Sequence, residues 1–527
     1  MTQKTLSTSN ERSGVVERRR RNIFSILFGR TMVVSVLLVV QCALLLMFFY
    51  RLTPYIPYYF GSVAVFTAIA LVYQLNTRSN PSVKLSWCVL IALLPVVGVA
   101  LYLFLHLDMG HRLEQKALQK SIDASRPFLS EPEALMERLR EEERGVHNLA
   151  RYTQKHGGWA VCANTAVTYY PLGEAAFAAM KEELEKAEKF IFLEFFIINE
   201  GEMWESILDI LRRKAAQGVE VRVLYDGTCH MFALPGNFPK QLRELGIRCK
   251  TFSPLRPFVS THYNNRDHRK ILLIDGCVAF TGGVNIADRY INRERIYGHW
   301  KDSAVMLRGD AVRNFTLMFL QMWNADERKA DYGPYLEQTK PVREAKGYVI
   351  AYSDSPLDQE NVGEMVYLDV LNQAKDYVYI MTPYLILDHE MLTALCFAAR
   401  RGVDVRIMLP HVPDKKYAFV LAQSHYPELI EAGVRVFEYT PGFVHAKSFV
   451  SDDLRAVVGT INLDYRSLYL HFECAAYLHG VPAIGDIKAD FLQTQETCQE
   501  VTAESLRKRK LRDRLLAAVL KVAAPLM

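Results

Sequence analysis

Residues 31–50, 55–75 and 85–107 form three long apolar stretches, the last interrupted only by His106. Each has the roughly 20 uncharged residues that a bilayer-crossing helix needs, and Tyr, Trp and basic residues lie at the flanks. The pattern therefore predicts three N-terminal transmembrane helices, with a buried helical hairpin as the alternative for the second and third. The first is too long for a cleaved signal sequence and has no small-residue cleavage site. Arg18–Arg21 favours a cytoplasmic N-terminus, and Arg78 with Lys84 a cytoplasmic second loop. The membrane face of the remaining chain is left open.

From Leu113 to about Arg151 the chain turns charged and reads as a helical connector. Beyond it, apolar runs and amphipathic stretches alternate. A strand at Lys189–Ile198 is followed by a helix at Trp204–Ala216 and a strand at Val219–Tyr225. The order returns as Tyr377–Tyr384, His389–Arg400 and Val403–Leu409. Gly218-Val219-Glu220-Val221-Arg222-Val223 is echoed by Gly402-Val403-Asp404-Val405-Arg406-Ile407. Such alternation indicates α/β units, and the echo indicates an internal duplication. The expected domains are an N-terminal segment (1–110), a connector (111–150), and two similar α/β domains with mixed sheets flanked by helices (151–335 and 336–527). The last carries a basic tail that reads either as a solvated helix or as one lying on anionic lipid.

Within each repeat stands the same constellation, H-x-K-x4-D-x6-G-x2-N. It runs from His268 through Lys270, Asp275 and Gly282 to Asn285, and again from His445 through Lys447, Asp452 and Gly459 to Asn462. Residues two apart on a strand share a face, so each His–Lys pair points one way. Histidine supplies a nucleophile or an acid/base group near neutral pH, lysine a cation and asparagine a neutral donor. Two facing halves would set two of each around one phosphate. Asp275 and Asp452 are taken with the catalytic set, although their turn positions suit a structural role equally well. Asn285 and Asn462 are the expected phosphate donors. Glu473 and Asp302, acids in apolar strand-like contexts, are the candidates to orient the imidazoles.

These residues resemble the phospholipase D superfamily, whose signature is a pair of H-x-K-x4-D motifs, and more closely the bacterial cardiolipin synthases. Asn264-Asn265-Arg266-Asp267-His268-Arg269-Lys270 is similar to the first family motif and Gly442-Phe443-Val444-His445-Ala446-Lys447 to the second. Trp300, Asp302, Gly309, Phe319 and Trp323 also fit. Asn80, Pro81, Trp87, Pro95, Gly98 and Tyr102 are similar to the family's membrane segment. The resemblance implies the duplicated phospholipase D fold with His268 as nucleophile and His445 as acid/base. It further implies transfer of a phosphatidyl group between two phosphatidylglycerol molecules through a phosphohistidine, in a multi-pass protein of the bacterial cell membrane. A hydrolase, a transferase to another alcohol and a non-catalytic membrane scaffold are the rivals.

Composition narrows the field. The first 30 residues hold seven basic and two acidic side chains, enough to account for the net charge of +5 over 527 residues. The rest is near neutral, which argues against a nucleic-acid partner. The nine cysteines are scattered without zinc-ligand spacing, so neither a metal nor another cofactor is expected. Phosphatidylglycerol and membrane lipids are the expected partners.

Overall fold

The computed structural model describes residues 56–526, apart from 107–108, 131, 255–264, 328, 338, 359 and 508–510, together with residues 39–43 and 47. Most of the first apolar stretch lies outside these. The chain divides into an N-terminal unit holding residues 1–112 and a larger unit holding nearly all the rest.

In the N-terminal unit, helix α1 spans Ile56–Leu75, α2 Pro81–Leu93 and α3 Pro95–His106. Asn80 caps α2 by accepting the Ser82 N–H at 2.8 Å, ahead of a proline whose fixed φ suits the first turn. The stretch at 85–107 is not one helix. Proline has no N–H to donate and disfavours helical geometry in the residue before it; Leu94 accordingly leaves the helix at φ −133°, ψ 71°. The two resulting helices, 13 and 12 residues long, fold back on each other. A Cβ on Gly98 would lie 2.8 Å from the Ile91 Cα, so only glycine allows this approach. Trp87 packs edge-on to Tyr102 at 5.2 Å. Among the described residues no helix is long and apolar enough to cross a membrane. The expectation of transmembrane helices at 55–75 and 85–107 is therefore corrected, while the one at 31–50 falls mostly outside the described residues. In the third stretch Pro95 splits the span.

The larger unit contains two sheets of one design. The first is built from β1 (Thr165–Tyr170), β2 (Phe190–Phe195), β3 (Glu220–Asp226), β4 (Arg248–Phe252), β5 (Lys270–Ile274), β6 (Val278–Gly282) and, after a short β7 (His299–Lys301), β8 (Ala304–Gly309). Its order is β1-β8-β6-β5-β2-β3-β4. The second uses β9 (Tyr348–Asp354), β10 (Tyr377–Met381), β11 (Asp404–Pro410), β12 (Arg435–Tyr439), β14 (Ser448–Ser451), β15 (Arg455–Gly459), β16 (Glu473–His479) and β17 (Cys498–Val501), with β13 (Gly442–Val444) set apart. Read as β9-β16-β15-β14-β10-β11-β12-β17, it repeats the first order and adds one edge strand. In both, the strands joined through helices are parallel and the motif hairpins antiparallel, as short and long connections require.

Side-chain alternation ties the two halves into one body. On β5, Leu272 and Ile274 face a core drawn mainly from the first half, which Phe443 of the second joins. Ile271 and Leu273 face a larger core shared with Val378, Ile380, Val457 and Tyr477 of the second. Helix α4 (Val312–Trp323) belongs to that shared core and is buried on nearly every side, with Phe319 stacked on Phe192 at 4.7 Å. The connector also contributes to it through Leu139, Val146 and Leu149.

Candidate active site

The two halves meet through backbone pairing at the motif histidines. The His268 N–H donates to the Phe472 carbonyl at 2.9 Å, and the Phe472 N–H donates to Arg266 at 2.8 Å. In the other direction β7 pairs in parallel with β13, and the His445 N–H donates to the Lys301 carbonyl at 2.7 Å. Each histidine is thereby fastened beside the residue that precedes an acid of the opposite half.

The acids follow from this register. His268 Nδ1 donates to both oxygens of Glu473 at 2.9 and 3.0 Å. His445 Nδ1 donates to Asp302 Oδ2 at 2.7 Å. Both carboxylates are fully buried. Glu473 also accepts the Thr460 hydroxyl, and Asp302 accepts the Ser303 N–H at 2.9 Å. Each carboxylate fixes its imidazole with the proton on Nδ1 and turns Nε2 toward the site. Glycines at the motif ends let the acid-bearing strands come close. A Cβ on Gly283, next to the motif Gly282, would stand 1.9 Å from Asp302 Oδ1, and one on the motif Gly459 2.4 Å from the Cys474 carbonyl.

Lys270 and Lys447 are each about 1% exposed and donate to the carbonyls of His268 and His445. Lys447 Nζ also lies 2.9 Å from Nδ1 and 3.1 Å from Nε2 of the His445 ring. Burial pushes Lys270 down to about 8 and Lys447 down to about 7, with the Lys270 charge adding to the shift of Lys447 and the nearby acids opposing both. Burial also pulls His445 down to about 3, helped by Lys447 and Lys270 and resisted by Asp302. His268 is held well below its usual range by burial, then by Lys270, Lys447 and His445. These mutual influences bring the four groups of both halves within one electrostatic neighbourhood. Burial opposes ionisation of Asp302, but His445, Lys447 and the Ser303 N–H outweigh it and hold that carboxyl low. Aromatic rings wall the pair: Phe196 is 4.9 Å from His268, and Trp300 and Tyr290 are 5.2 and 5.4 Å from His445.

Three of the expected residues take other positions or other partners. Asp275, at φ +52°, accepts the N–H groups of Glu188, Lys189 and Phe190 at 2.7–2.8 Å. Asp452, at φ +56°, accepts those of Lys375, Asp376 and Tyr377 at 2.9–3.0 Å. Both sit at the far end of the motif strand, roughly 17 Å of extended chain from the lysine. They fasten the motif hairpin to the start of its neighbour strand and are not brought to the imidazoles, which corrects their catalytic assignment. Asn285 is likewise committed: its Oδ1 accepts the Ile197 N–H at 2.9 Å and its Nδ2 donates to the Tyr290 hydroxyl at 2.8 Å. Asn462 differs, because its buried Oδ1 has no hydrogen-bond partner among the described residues.

One residue at the site escaped the reading of the sequence. The His471 ring lies 5.5 Å from that of His268, and its Nδ1 is 3.7 Å from the same Glu473 oxygen. The signal was present, since His471 stands two residues before Glu473, where β16 begins. His268, His471 and Glu473 bring their donor atoms within 4.8 Å of one another, a spacing a metal ion would accept. The ammonium groups of Lys270 and Lys447 beside them oppose a cation there.

The arrangement offers two imidazoles, each held by an acid of the other half, and two cations beside them where the repeats pair. That is the chemistry of nucleophilic displacement at a phosphodiester. Comparison with known proteins agrees. The cardiolipin synthase, PLD-like domain family matches residues 180–323 and 367–494, and the phospholipase D-nuclease N-terminal family matches residues 63–105. An uncharacterized protein of Streptococcus mutans is 51% identical over 87% of this chain and 99% of its own length. The cardiolipin synthase of Geobacillus kaustophilus is 35% identical over 87% of this chain and 91% of its own, and that of Alkalihalophilus pseudofirmus 32% over 88% and 92%. The crystal structure of a phosphatidylserine synthase from Haemophilus influenzae shares the fold, with a TM-score of 0.54 at 15% identity, over 73% of this chain and 97% of that one. With two matched domains and relatives aligned over most of its length, this chain belongs to the cardiolipin synthase family of phospholipase D-like proteins.

Proposed function

We propose that the protein transfers a phosphatidyl group from one phosphatidylglycerol to the glycerol hydroxyl of another, giving cardiolipin and free glycerol at a lipid surface. The observation that carries this reading is the pair of crossed imidazole–carboxylate contacts, Glu473 on His268 and Asp302 on His445. In the first half-reaction His268 Nε2 attacks phosphorus. The bond from phosphorus to the glycerol oxygen breaks, and His445 passes a proton to that oxygen. In the second, His445 takes the proton of the incoming hydroxyl, whose oxygen attacks phosphorus and releases His268. Lys270 and Lys447 offset the charge on the phosphoryl oxygens, and Asn462 adds a neutral donor. With no anion present, burial keeps His445 unprotonated; an entering phosphodiester supplies the negative charge that restores its proton. The Nδ1 proton on each ring leaves Nε2 as the reacting atom.

Incubation of the protein with vesicles of phosphatidylglycerol alone tests the reading. Cardiolipin and glycerol in equal amounts are expected, whereas phosphatidic acid as the main product would identify a hydrolase instead. Acid-sensitive trapping of labelled lipid on His268, lost in His268→Ala and kept in His445→Ala, tests the order of roles. An adduct on His445 in the His268→Ala protein would reverse it.

A further inference from the structure

Helix α6 (Leu511–Ala523), near the end of the chain, is packed the wrong way round for a soluble protein. It lies against α5 (Lys416–Glu431), toward which it turns Ala517 and the half-buried Asp513 and Leu520. Its larger apolar side chains face solvent: Leu511 is 68% exposed, Leu515 61%, Leu516 45%, Val519 69% and Val522 44%. At about 100° per residue Leu511, Leu515, Val519 and Val522 fall within an arc of roughly 80°, with Leu516 about 60° beyond it. Arg512 and Arg514 border that arc on either side, and both are exposed. Residues 507–514 include six basic side chains and one acid, Asp513, which is paired with Arg512 at 3.3 Å.

A continuous apolar stripe of this kind marks an interaction surface. The charge selects the occupant. A second copy laid on the stripe would bring two sets of these cations together, and a nucleic acid would gain nothing from four exposed aliphatic side chains. An anionic bilayer satisfies both features, since the stripe enters the acyl boundary while the flanking arginines meet the phosphates. We propose that α6 is an interfacial docking helix that seats the larger unit on a bilayer rich in phosphatidylglycerol. This goes beyond the proposed reaction and stands independently of it.

The test uses the full-length chain with p-benzoylphenylalanine at position 519, irradiated with vesicles of phosphatidylcholine with or without phosphatidylglycerol. Lipid adducts are expected with phosphatidylglycerol present and about tenfold fewer with phosphatidylcholine alone. Leu511→Ser with Leu515→Ser should cut the adducts by a similar factor, and so should Arg512→Gln with Arg514→Gln. The serine variant should keep its turnover on detergent-dispersed lipid, which shows that it folds. Cross-links between protein copies, or equal lipid labelling in the serine variant, would overturn the proposal. Since labelling needs no turnover, it reads the docking whatever product the enzyme makes.

Discussion

Glu473 and Asp302 determine which imidazole nitrogen reacts, and replacing either by its amide keeps the shape while removing the charge that holds the tautomer. Glu473→Gln and Asp302→Asn are each expected to lower kcat on the order of 10²- to 10⁴-fold with little change in KM. The two separate with a better leaving group. A nitrophenyl phosphodiester needs no proton from His445, so Asp302→Asn should recover much of its rate on that substrate and Glu473→Gln should not. Lys447 offers a second measurement. Burial holds it at about 7, so at pH 7 it is charged about half the time. An anion in the site raises it, and binding of inorganic phosphate at pH 7 should take up about half a proton or more per site. Calorimetry in buffers of different ionisation enthalpy reads this, and Lys447→Met should lower the uptake by about half a proton, leaving the share that His445 takes. At this scale the sequence was legible where chemistry repeats: the duplicated spacing singled out His268, Lys270, His445 and Lys447 together. It was silent on which acid serves which histidine, because that depends on pairing between residues some 200 positions apart, as in His268 with Phe472.

The motif hairpins and the α2–α3 hairpin show what a one-dimensional pattern conveys about an element and what it leaves out. Asp275 and Asp452 belong to the motif by spacing, yet each serves as a short carboxylate at a left-handed turn, collecting three N–H groups at the start of the neighbouring strand. Asp275→Ala should therefore cost about 2–4 kcal/mol in denaturant unfolding while the folded fraction keeps its kcat; a large fall in kcat with stability intact would restore the catalytic assignment. The hydropathy of residues 85–107 was legible, but the proline that divides it and the glycine that lets the pieces touch weigh little in such a count. Gly98→Val is expected to separate α2 from α3, read as lost helical signal and new protease cleavage between them. On α5, His425 is 4% exposed, and burial pulls it down to about 3, with Lys521 adding to the shift. The unfolded chain binds the proton from about pH 6.5 downward and the folded chain does not, so this residue's contribution disappears as pH falls from 6.5 toward 3. His425→Leu should raise the Tm relative to the parent at pH 5, with the gap closing by pH 7.5.

Across the whole larger unit, the strand order was legible as a duplication, because Gly218–Val223 and Gly402–Ile407 open equivalent strands of the two sheets. The shared core was not, since either face of β5 looks equally apolar in sequence. Expressed apart, residues 151–335 and 336–527 should each aggregate through the surface that Ile271 and Leu273, or Val378 and Ile380, would leave uncovered. Produced together they should recover measurable turnover, and soluble, well-folded single halves would contradict the account.

The exchange of partners between repeats also bears on how damage spreads. An alteration confined to the segment around Phe472 strips the support from a histidine in the other repeat, and one around Lys301 does the reverse. Inherited changes in either copy are therefore felt by both, so the repeats are bound to drift in step.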